Sequence, residues 1–190
     1  TNCGSGTLVL RKTSTFPGVF YHKNGKLTVE DVTDPFGAVS DTTPVVFNEV
    51  GGGSVYRVLF KNVTVNRPVT YYPDNESNVT RFEGTNVFNK NFDTTQNYRP
   101  FRPLIGNSAN AFMTVVVFND GFAPRNYFCP SGQRKAGPEI NWFVVNNAPF
   151  ICERHAQLNH YVGLELNATG NVIRYPNSTD FGLELQGYNS

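Results

Sequence analysis

The sequence predicts an all-β chain, arranged as a single-domain antiparallel β-sandwich or partly closed barrel with minor helix. Three observations lead there. Apolar residues recur in short runs bounded by glycine, asparagine and proline. No window sustains the 3.6-residue period of an amphipathic helix. Charged residues make up only 16% of the chain, while 16 Phe and 9 Tyr provide core material, so Asn, Thr, Ser and Gly must finish the surface. At 190 residues there is enough chain for one good core, and residues 1–190 are read as one β-rich binding domain. It opens on Thr1-Asn2-Cys3 without an initiator Met or signal-peptide pattern, which fits a domain excised from a larger extracellular protein.

The elements follow in order. Gly6–Lys12 and Gly18–Tyr21 are short β-type runs, and Asn24-Gly25 turns the chain into Lys26–Val32. Pro44–Val50 is another run, ended by Gly51-Gly52-Gly53. Ser54–Val65 alternates over a long stretch, but both of its faces are chemically mixed. It is expected to be a strand that changes environment along its length, with Asn62 facing solvent. Pro68–Tyr72 starts with proline and reads as an edge strand. Asp74–Glu83 reads as a solvated loop, and Gly84–Asn110 as a long irregular one with Asn97–Pro103 at its centre.

Ala111–Asn119 is nearly continuous in apolar residues, as expected of a strand buried on both faces. Glu139–Val145 with Pro149–Glu153 reads as one hairpin, and Gln157–Asn167 with Val172–Tyr175 as a second. Phe181–Gln186 is the last strand. No internal repeat is apparent, and the total comes to about ten to twelve strands.

Composition narrows the function classes. The formal net charge is +1, and the 16 basic residues are scattered, so no run neutralises a phosphate backbone and nucleic acid is not an expected partner. No apolar stretch approaches the ~18 residues of a membrane-spanning helix, so membrane insertion is not expected. Three cysteines leave one odd, and Cys129 with Cys152 is the expected disulfide, with Cys3 outside it. Asn62, Asn75, Asn78, Asn167 and Asn177 begin Asn-x-Ser/Thr sequons, candidate glycosylation sites on an extracellular or surface-displayed protein (secreted, cell wall, pilus or virion surface).

No convincing catalytic constellation assembles from these residues. Gly-x-Ser-x-Gly is absent, and Ser5, Ser54 and Ser131 sit beside glycines as in plain turns. Cys152, Glu153, His155 and His160 form the nearest metal-type cluster, but strand alternation points them to different sides, so no metal or other cofactor is expected. Glu139, Glu153, Glu165 and Glu184 lie on expected strands, so two carboxylates could meet for glycoside hydrolysis. Ala148–Arg154, with Trp142 upstream, resembles the closing strand of C-type lectin domains over about a dozen residues. The paired helices and the calcium motif of that fold are missing here, and 38 residues follow Cys152.

Recognition chemistry remains. A sugar has an apolar face and a polar rim, so its sites pair an aromatic ring with Asn, Asp or Arg. Two segments carry that mix: Tyr98, Arg99, Phe101 and Arg102 in the long loop, and Asn141, Trp142, Asn146 and Asn147. The leading expectation is a non-enzymatic receptor- or glycan-binding domain of adhesin, lectin or viral-attachment type, contacting a cell-surface glycan or protein receptor. The alternatives are a secreted polysaccharide-active enzyme on a β-sandwich and a self-assembling β-domain of a fibre, capsid or cell wall.

Overall fold

A computed structural model of the chain describes residues 7–10, 20–22, 26–35, 45–49, 58–73, 79–94, 101–106, 113–120, 122–124, 127–132, 140–147, 150–152, 155–159, 162–167, 172–173 and 182–186. These residues hold twenty strands and no helix. In chain order they are β1 (Thr7–Leu10), β2 (Phe20–His22), β3 (Lys26–Thr33), β4 (Val45–Glu49), β5 (Val58–Val65), β6 (Val69–Pro73), β7 (Thr80–Glu83), β8 (Thr85–Phe88), β9 (Phe92–Thr94) and β10 (Pro103–Ile105). There follow β11 (Met113–Phe118), β12 (Phe122–Ala123), β13 (Tyr127–Phe128), β14 (Ser131–Gly132), β15 (Ile140–Asn146), β16 (Ile151–Cys152), β17 (His155–Asn159), β18 (Val162–Asn167), β19 (Val172–Ile173) and β20 (Gly182–Gln186).

Every pair among them is parallel, and this overturns the expected antiparallel sandwich. The all-β class stands, and the strands do wrap nearly closed around one core, but as a coil. Each strand pairs with one on the next turn of chain, so the fold is a parallel solenoid. On the first face, β3, β5, β7, β10, β14, β17 and β20 follow one another. The second face stacks β5, β8, β11, β15 and β18. The third stacks β2, β4, β6, β9 and β12. The two hairpins do not form: β15 pairs with β11 and β18, and β16 with β19. The supposed irregular loop Gly84–Asn110 contains β8, β9 and β10, and the supposed loop Asp74–Glu83 ends in β7.

Two polar corners explain how the coil turns. At the first, between faces one and two, Asp31 (φ 52°), Asn62 (φ 52°) and Gly84 (φ 67°) adopt the left-handed conformation, which Asn, Asp and Gly tolerate best. Asn62 Nδ2 donates to Asp31 Oδ1 at 2.9 Å, and Thr85 N donates to Asn62 Oδ1 at 3.1 Å. The corner also resets side-chain parity. In β5, Val58 and Phe60 point inward before Asn62, and Val63 and Val65 point inward after it. The mixed faces of Ser54–Val65 are therefore one inward set interrupted by a left-handed residue. Asn62 is exposed there, as expected.

The second corner carries a column of amides. Asn66 donates from N and Nδ2 to the two carboxylate oxygens of Asp34, at 2.9 and 2.7 Å. Asn89 Nδ2 donates to Asn66 Oδ1 at 2.7 Å, Asn119 Nδ2 to Asn89 Oδ1, Asn146 Nδ2 to Asn119 Oδ1 at 3.2 Å, and Asn167 Nδ2 to Asn146 Oδ1 at 2.9 Å. An amide carries a donor and an acceptor a hydrogen bond apart, and strand spacing of about 4.8 Å lets one bond join each rung to the next. Lys90 and Asp120 add an ion pair at 3.4 Å beside the third and fourth rungs. Arg67, buried behind the column, is held below the ordinary guanidinium value by desolvation, with the Asp34 charge pulling the other way.

The core consists of columns of like residues. On the third face Val45, Val69, Phe92, Phe122 and Phe150 stack in register. On the second, Val65, Phe88, Phe118 and Val145 do so. On the first, Val29, Phe60, Phe82 and Ile105 do. Aromatic columns meet in the middle: Phe118 and Phe122 stack with centroids 4.3 Å apart, and Phe128 and Phe143 lie 4.7 Å apart. β11, expected to be buried on both faces, instead alternates, with Thr114, Val116 and Phe118 inside and Met113, Val115 and Val117 outside.

Candidate functional site

The outer side of the second face carries little charge. Thr85, Val115, Trp142 and Gly163 share one row across it, and Val87, Val117, Val144 and Glu165 the next. Met113 lies beside Ile140 at the start of the face. Met113 is 53% and Trp142 37% exposed, while the valines between them are half-buried. Contiguous apolar surface of this kind marks an interaction site more often than scattered exposed side chains do.

Trp142 is the most specific element in it. A Cβ built on residue 163 would lie 2.6 Å from Trp142 Cε3 and Cζ3, so the six-membered ring occupies the space that any side chain there would fill. Glycine at 163 lets the indole lie down on the backbone of β18 and still keep solvent contact. Parallel register fixes this pair, because Trp142 and Gly163 are direct neighbours on adjacent strands. Glu165 stands two residues along, in the next row, and exposed, with Asn167 beyond it donating to Glu165 Oε1 at 2.9 Å.

The other site residues expected from the sequence separate. Asn141 is 4% exposed and turned inward. Asn146 is a rung of the amide column, and Asn147 follows it, exposed and left-handed at φ 59°. Phe101 is 1% exposed and packs among Tyr71, Phe92, Phe122 and Phe128, so it serves the core. Arg102 lies outward beside it, half-buried. Tyr98 and Arg99 lie outside the described residues, as do Asn75, Asn78, Asn177, Cys3, Glu139, Glu153 and His160.

No disulfide joins Cys129 and Cys152. Both are buried thiols; Cys129 donates to Gln157 Oε1 at 3.5 Å, while Cys152 sits beside Ile173 on another stretch of the coil. Of the described sequon asparagines, Asn62 belongs to the first corner and Asn167 ends the amide column. Among the described residues no group of three His, Cys, Asp or Glu side chains converges as a metal site.

The amide column leaves only a faint trace in the sequence. Its sequence signal is a recurring apolar-Asn pair followed by an apolar residue on the third face: Val65-Asn66 before Val69, Phe88-Asn89 before Phe92, Phe118-Asn119 before Phe122, Val145-Asn146 before Phe150. Rungs are 32, 23, 30, 27 and 21 residues apart, and this unequal spacing hides the repeat.

No protein-family model matches the chain, and neither a curated protein nor a solved structure does.

Proposed function

We propose that this chain is a recognition domain of a surface-displayed or extracellular protein, and that it holds a cell-surface glycan on the outer side of the second face. The observation that supports this reading is Trp142, laid over Gly163 and 37% exposed. An indole fixed against a backbone loses little conformational freedom on binding, and its free surface suits the C–H face of a pyranose. Met113 and Val144 extend the apolar floor, and the Glu165 carboxylate offers an acceptor to sugar hydroxyls. The rigid coil presents these groups on strands, where packing fixes their positions more tightly than a loop would.

A glycan array probed with the wild-type domain and with Trp142→Ala tests the reading. Trp142 is partly exposed, so the variant is expected to keep its melting temperature within a few degrees, and to lose at least tenfold in affinity for whichever glycans the wild type retains, about 1.4 kcal/mol. Equal binding by a folded Trp142→Ala protein, or no glycan retained by the wild type, overturns it.

A further inference from the structure

On the first face the charges are matched in register. Glu30, Lys61 and Glu83 form one outward row of alternating sign, and Arg81 Nε donates to Glu83 Oε1 at 2.8 Å. Arg102 breaks this pattern. Thr80 N donates to Arg102 O at 3.1 Å and Cys129 N to Phe101 O at 3.0 Å, which places Arg102 between Val79 on one rung and Cys129 on the next. Neither neighbour carries charge. Arg102 is half-buried, its Nε is shielded from solvent without a hydrogen-bond partner, and no carboxylate reaches it among the described residues. A guanidinium that no carboxylate engages keeps its outer nitrogens available as donors, and an anion arriving there forms charge-assisted hydrogen bonds.

We propose that Arg102 is an anion-binding site for a single carboxylate, carried by an acidic sugar of the uronic type. The size of the site argues for one carboxylate. A polyanion such as nucleic acid needs a row of cations, and the one cation of the adjoining outward row (Leu59, Arg81, Leu104) is already paired with Glu83. The surroundings argue for a sugar: Val79 and Leu104 flank the cation with half-buried apolar surface that a pyranose ring can cover while its carboxylate meets the guanidinium. The site lies on a different face from Trp142, so it stands or falls independently of the glycan platform proposed above.

The probe is trigalacturonate, with its fully methyl-esterified form as the uncharged control, titrated calorimetrically at low ionic strength into wild type, Arg102→Gln, Arg102→Lys and Trp142→Ala. The quantity read is the ratio of acid to ester affinity. It is expected to reach at least ten in wild type and in Trp142→Ala, to fall to about one in Arg102→Gln, and to recover partly in Arg102→Lys. Rising salt should lower it. A ratio near one in wild type overturns the proposal, as does an unchanged ratio in Arg102→Gln. Tighter binding of an oligoglutamate peptide than of trigalacturonate overturns the assignment to a sugar. Melting curves of each variant show whether the coil is intact; a loss of affinity in an intact Trp142→Ala protein with its ratio preserved bears on the Trp142 platform alone.

Discussion

Replacing Asn119 with alanine removes a middle rung of the amide column. Asn119 donates to Asn89 Oδ1 and accepts from Asn146 Nδ2 at 3.2 Å, so the change deletes two hydrogen bonds and leaves two part-buried partners facing a gap. Each bond contributes about 0.5–1.5 kcal/mol net, and each orphaned partner adds up to about 1 kcal/mol where water reaches it only in part. The total expected is about 2–4 kcal/mol. For a chain of this length that corresponds to a fall in melting temperature of roughly 4–16 °C. The control is Asn167→Ala at the exposed end of the column, where the lost bonds to Asn146 and Glu165 are open to solvent and the cost should stay under about 1 kcal/mol. Urea denaturation followed by far-ultraviolet circular dichroism measures both. Equal costs for the two variants, or less than about 0.5 kcal/mol for Asn119→Ala, would refute the view that the column holds adjacent turns together.

Asn119→Asp should be less stable than wild type at neutral pH, because its carboxylate would face the Asn89 carbonyl oxygen as a second acceptor. Its folded-state pKa is therefore raised above the unfolded value of about 3.9, so stability relative to wild type should recover below that value and be lost as pH rises through the folded pKa; a deficit that does not shrink in acid contradicts this. Gly84→Ala should cost about 2–4 kcal/mol, since residue 84 has φ 67° and its Cβ would lie 2.0 Å from Asn62 Oδ1, displacing the acceptor of Thr85 N; a change under about 0.5 kcal/mol in urea denaturation refutes it. Gly163→Ala should lift the Trp142 ring, shifting its fluorescence and weakening glycan binding while costing less than about 1 kcal/mol of stability; unchanged emission and binding would show that the ring does not rest there.

The β class was legible because apolar runs, turn residues and the absence of a helical period all agree on it. Topology was not, for a physical reason. Strand alternation fixes which side chains share a side but not whether the partner runs parallel or antiparallel, and Asn-Asn or Gly-rich segments serve hairpins and solenoid corners equally well. Asn146-Asn147 illustrates this: as a hairpin turn it would reverse the chain, yet here Asn146 bonds sideways into its column and Asn147 takes the left-handed bend. Ser54–Val65 announced its change of environment through mixed faces, which is the trace left by left-handed Asn62.

The candidate site was half legible. Trp142 stood out as an aromatic among asparagines, but whether it points inward depends on the parity of β15, set by Phe143 and Val145 entering the core. Phe101 looked equally available, and the same parity argument runs against it, since Phe101 and Pro103 both turn inward and leave Arg102 outside. Gly163 gave no signal at all, because its role exists only across a strand pair.

Trp142 is the sole tryptophan of the chain, so intrinsic indole fluorescence reports on the proposed platform alone. Acrylamide quenching, with and without a saturating amount of the glycan retained on the array, is the most direct test of the account. The free domain should be readily quenched, as a 37% exposed ring requires, and bound glycan should reduce the quenching constant severalfold. A quenching constant that stays the same at saturation would place the ligand elsewhere and contradict the account.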